Sequence, residues 1–103
     1  MKVDVLGTKY KIIKHDKDNP IRIDGCDGYC DYTVKEIHIA EMEDYEWADV
    51  EAHANKVIRH ELVHAFLYEG GLNSESWARN EEIVDWMAIQ IPKIANKYKE
   101  LDI

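Results

Sequence analysis

Apolar and polar residues alternate over roughly the first forty positions and then recur at three- and four-residue steps, which predicts strands followed by helices. Residues 3–6 and 10–13 flank a Gly7-Thr8 break, the pattern of a hairpin. Residues 15–28 are rich in Asp, Asn, Gly and Pro and read as a loop. A second strand pair is expected over 29–33 and 36–40. There Ile37, His38 and Ile39 give the alternation and β-branching of a half-buried strand, with His38 on its solvent face.

Residues 47–69 turn helical, with Asp44 as a candidate cap and Gly70-Gly71 as the stop. Between Leu62 and Tyr68 the apolar side chains run nearly all the way round, which predicts a buried helix. A second helix is expected from position 74 or 76 to 98, kinked or broken at Pro92. Its apolar stripe is Trp77, Val84, Met87, Ala88, Ile91, Ala95 and Tyr98. The expected fold is α+β, with a small antiparallel sheet packed on two antiparallel helices.

Composition narrows the classes. At 103 residues the chain makes one domain, 1–103, with a modest core. A hydrophobic fraction of 46% argues for a folded globule and against disorder. A net charge of -8 without a basic run argues against nucleic-acid binding. No apolar run approaches the roughly 18 residues of a membrane span, and the N-terminus lacks the run of a signal peptide. The chain therefore reads as soluble and cytoplasmic, with no membrane partner. Cys26 and Cys30 are the only cysteines. Their C-x3-C spacing supplies too few ligands for a separate zinc site and departs from the usual C-x-x-C redox pair. They read as structural or incidental.

The candidate chemistry is concentrated in His60-Glu61-Leu62-Val63-His64, an H-E-x-x-H stretch inside the first helix. Residues four apart share a helix face, so His60 and His64 can aim a ring nitrogen at one metal ion. Glu61, one step round, is placed to take a proton from a water on that metal. On the second helix, Glu81 lies about 60° from the centre of the apolar stripe, Asp85 about 100° and Glu82 about 160°. Glu81 is thus turned toward the core and Glu82 toward solvent. If residues 70–73 reverse the chain, Glu81 returns level with the histidines, since each lies about 10 Å from the turn. It is then a third metal ligand, leaving a fourth position for water. Asp85 suits an outer role, accepting the N–H of a ligating imidazole.

This constellation resembles the zinc site of the gluzincins. Sixteen residues after His64, Asn80-Glu81-Glu82-Ile83-Val84-Asp85 is similar to the N-E-x-x-x-D segment of thermolysin-like members, in which the Glu ligates zinc and the Asp supports a zinc-bound histidine. The small size and the strands-then-two-helices layout look more like the ImmA/IrrE-type metallopeptidases of bacterial and phage genomes. Those carry Asn where this chain has Asp85. The resemblance covers about residues 29–92 and implies a minimal zincin-like fold. A metzincin is excluded, because no third His follows at the required spacing.

The resemblance implies a zinc-dependent peptidase with His60, His64 and Glu81 on the metal and Glu61 as general base. Tyr68, Arg79 and His53 are open candidates for stabilising the oxyanion. Strand 36–40 is expected to pair with an extended peptide or protein substrate, a transcriptional repressor being the kind of target ImmA-like systems suggest. The alternative is a non-catalytic, zinc-stabilised binding or regulatory module. Glu61 favours the enzyme, because a purely structural site has no use for a carboxylate beside its ligands.

Overall fold

The computed structural model describes residues 1–23, 25–41, 49–72 and 77–103. Its strands are β1 (Lys2–Val5), β2 (Thr8–Lys14), β3 (Gly28–Asp31) and β4 (Glu36–Ile39). Two long helices follow, α1 (Val50–Glu69) and α2 (Glu81–Leu101), and a short 3-10 turn, Trp77–Arg79, precedes α2. The class is α+β. The candidate cap Asp44, the expected helical start at 47 and the alternative starts at 74 and 76 lie outside the described residues.

The sheet is mixed rather than antiparallel. Its order is β1-β2-β4-β3, with β1–β2 and β3–β4 antiparallel but β2–β4 parallel. Alternation dictates which face a side chain takes and says nothing about which strand lies beside it. Here loop 15–27 is long enough to carry the chain past the place that β4 later fills. Strand β4 is therefore interior, and β3 is an edge.

The first hairpin turns at Leu6-Gly7, one residue earlier than expected, with Val5 opposite Thr8. Both turn residues have positive φ, +50° at Leu6 and +92° at Gly7, as a two-residue loop matched to strand twist requires. Ile37 and Ile39 point from β4 into the core, where they join Val5, Tyr10 and Ile12 of the neighbouring strands and Ala65 of α1. His38 takes the opposite face but is not solvated. Its side chain is only 12% exposed, stacked between His15 and Tyr29, with ring centroids at 5.0 and 4.6 Å.

Helix α1 lies on the sheet against β3 and β4, and α2 packs on α1. Asp49 caps α1, its side chain accepting from the Ala52 N–H. The Gly70-Gly71 stop is present as a Schellman closure: Gly71 has φ +91°, and the Leu72 N–H donates to the Leu67 carbonyl at 2.9 Å. Helix α1 is not buried all round, since Phe66 faces solvent and only Glu61 and Ala65 are fully covered. A two-layer molecule of this size leaves one side of α1 open.

Asn80 caps α2 by accepting from the Ile83 N–H at 3.0 Å. The helix passes through Pro92 without ending there. Only Val84 and Ala88 of its apolar stripe are fully buried, while Trp77, Ile91 and Tyr98 are about half exposed. If Glu81 stands level with the His60–His64 turn, α2 passes the start of α1 at about position 93, and its last turns have no helix to cover them.

Gly28 sets how closely sheet and helix approach. A Cβ there would stand 2.8 Å from both the His38 carbonyl oxygen and Val57 Cγ1. Only glycine lets β3 lie this near α1, and that approach forms one wall of the site.

Candidate metal centre

His60 and His64 project from one face of α1 with ring centroids 4.9 Å apart. Glu81, in the first turn of α2, reaches both. Its Oε2 lies 2.8 Å from His60 Nε2 and 3.2 Å from His64 Nε2, and its Oε1 lies 3.1 Å from the latter. Asp85, one turn on, places Oδ1 3.4 Å from His60 Nδ1. Rising numbers on α2 thus meet falling numbers on α1, so the helices run antiparallel, as expected. Glu82 is exposed. The Glu81 side chain is itself 71% exposed, so the imidazoles hold it from one side only.

Glu61 sits beside this group, only 6% exposed. Its Oε2 is buried without a hydrogen-bond partner among the described residues. Burial first, then the nearby Glu81 charge, pushes its carboxyl up to about 7, against a partial opposing pull from His60. His64 is held below the ordinary imidazole value, chiefly by burial. For Glu81, burial pushes upward but hydrogen bonds and charge from His60 and His64 prevail, and the net shift is downward.

A divalent cation fits these donors. His60 has carboxylates at both nitrogens, and it satisfies both only by carrying two protons or by giving the Nε2 lone pair to a cation. With Nδ1–H directed at Asp85, Nε2 is the nitrogen left to bind. His60, Glu61 and His64 bring their donor atoms within 4.8 Å of one another, and the orphaned Glu61 oxygen is a buried acceptor that a cation or its water would satisfy. Two imidazoles with a carboxylate make a donor set suited to zinc.

The group opens into a cavity of about 570 Å³ between α1, β3 and the start of α2. Of the oxyanion candidates, His53 and Arg79 line it; Tyr68 does not, stacking instead on Tyr32 at 4.3 Å with the rings 3° from parallel. Tyr32 does line the cavity and escaped the sequence reading. Its only signal was a tyrosine inside the candidate strand 29–33. Burial pushes its hydroxyl up to about 12, so it stays a donor at neutral pH. The expectation that strand 36–40 pairs with substrate is overturned: β4 has β2 on one side and β3 on the other. Among the described residues, the edge strand beside the cavity is β3, whose Gly28, Tyr29 and Cys30 form its wall.

Cys26 and Cys30 are free thiols. Burial pushes Cys30 up to about 12 and also raises Cys26, so neither is an activated nucleophile. Among the described residues, no helix is long and apolar enough to cross a membrane. Comparison of the chain with protein-family models, with curated proteins and with solved structures finds no match in any of the three.

Proposed function

We propose that this chain is a zinc-dependent peptidase of the gluzincin kind, similar to the ImmA/IrrE-type enzymes. One observation carries the reading. Two imidazole Nε2 atoms on one helix and a carboxylate from a second helix converge within 2.8–3.2 Å, next to a buried carboxyl with an unpartnered oxygen.

His60, His64 and Glu81 would hold the metal, and Asp85 would fix the His60 tautomer. When bound, zinc supplies Lewis acidity, lowering the pKa of a water to about 7 and polarising a carbonyl. Glu61 would take a proton from the attacking water and pass it to the leaving amine. Tyr32 lines the same cavity and would donate to a developing oxyanion. An extended peptide would add to the free edge of β3, held by its main chain across the cavity. A regulatory protease acting on a repressor is the narrower form of this proposal, in a cytoplasmic setting that suits two free thiols.

The test is purified protein loaded with one equivalent of zinc and offered a mixed peptide library. Wild type should cleave, and Glu61→Gln should keep the metal while losing at least about a hundredfold in rate. Zinc bound stoichiometrically with no Glu61-dependent cleavage would leave the non-catalytic, zinc-stabilised module as the reading. Absence of zinc binding would sink both.

A further inference from the structure

The carboxylates and the cations of the cavity are not in the same condition. Asp27 Oδ2 lies 3.0 Å from His53 Nε2, Glu81 faces His60 and His64, and Asp85 faces His60. Glu61 is buried beneath them. Among the described residues, every acidic side chain lining this space is therefore engaged by an imidazole or withdrawn from solvent. Two cations line the same cavity, Lys56 and Arg79. Both are exposed, and neither has an ion-pair partner among the described residues.

Their positions bracket the metal-binding group. Lys56, His60 and His64 follow one another at four-residue steps along one face of α1. Arg79 lies beyond the other end, close enough for its charge to bear on His64 and Tyr32. From Lys56 to His64 is about 12 Å of helix, so with Arg79 past that end an extended peptide reaching both cations needs at least about four residues between them.

We infer that the substrates are acidic peptides, with carboxylate side chains four or more positions apart that pair with Lys56 and Arg79 on either side of the bond to be cut. The inference rests on the peptidase reading and names its substrate class. It runs against the whole-molecule field, because a chain of net charge -8 repels anions and attracts cations at long range. Selection of acidic peptides must therefore come from local pairing. Arg79, with its planar fork, suits a carboxylate two oxygens at a time.

The experiment measures binding, so that it does not depend on turnover. An end-blocked, fluorescently labelled peptide with two glutamates four positions apart is titrated with zinc-loaded Glu61→Gln protein and with metal-free wild type. Its glutamine and lysine analogues are titrated alongside at roughly physiological salt, where the long-range field is screened beyond about 8 Å. The glutamate peptide should bind about tenfold tighter than the glutamine one, each exposed pair contributing about threefold to fivefold. Lys56→Gln and Arg79→Gln should each remove about threefold, their combination should abolish the preference, and Arg79→Lys should restore part of it. Equal binding of all three peptides, or tightest binding of the lysine peptide, overturns the inference. So does an acidic preference that survives the double substitution. Glu61-dependent cleavage of neutral peptides without that preference would refute the substrate class and leave the peptidase standing. The preference without cleavage would do the reverse.

Discussion

Glu61 carries the clearest residue-scale consequence. Its carboxyl in the metal-free chain is pushed from 4.5 up to about 7, mainly by burial. A group raised in the folded state favours folding below its unfolded value and loses that contribution as pH climbs through the folded one. Metal-free protein should therefore lose up to about 3 kcal/mol between pH 4.5 and 7 on this account. His64, depressed by burial, works in the opposite direction as pH falls below its ordinary value. The informative quantity is the difference between wild type and Glu61→Gln, read as urea midpoints across that range. It should grow with pH in favour of the variant. The ligand assignment is checked in the same way, by pairs. Glu81→Ala should weaken zinc binding far more than Glu82→Ala, and Asp85→Ala should cost about tenfold to a hundredfold, measured by competition with a chelator. Helix periodicity alone placed Glu81 and Asp85 facing the histidines, because a wheel angle and a turn length determine where a side chain on a returning helix arrives. Tyr32 was not legible, since its place depends on how β3 lies against α1, and that is a long-range fact.

At the scale of elements, the strand and helix segments were readable, while their neighbours were not. Alternation put Ile37 and Ile39 inward, yet β4 is interior because the chain after β2 travels past its place before returning. The feature that holds β3 against α1 is Gly28. Gly28→Ala should cost about 1–3 kcal/mol, because its new methyl meets a backbone oxygen that cannot yield easily. The same substitution should widen the cavity wall and lower activity more than its stability loss explains. Thermal melts and rates on the one variant test both statements. The apolar stripe of α2 was read too long, for packing ends where the partner helix ends, and that limit lies in α1 rather than in α2.

At the scale of the whole molecule, a small core leaves the two layers loosely tied. Val5, Tyr10, Ile12, Ile37, Ile39 and Ala65 form one compact cluster, while Glu81 is held, among the described residues, by the imidazoles of His60 and His64. A bound cation would join helix to helix where apolar packing is thin. Zinc at a hundred times its dissociation constant should add about 2.7 kcal/mol of stability, visible as a higher melting temperature that a chelator reverses. A melting temperature indifferent to zinc would count against ligands drawn from two helices. The position of β3 as an edge strand among the described residues has a different implication. A ladder of main-chain bonds accepts only a segment that has already surrendered its own secondary structure. Under the peptidase proposal, a protein's vulnerability would be governed by how often the segment frays and how far it strays from its parent fold, so one sequence would be spared when well folded and destroyed when it opens.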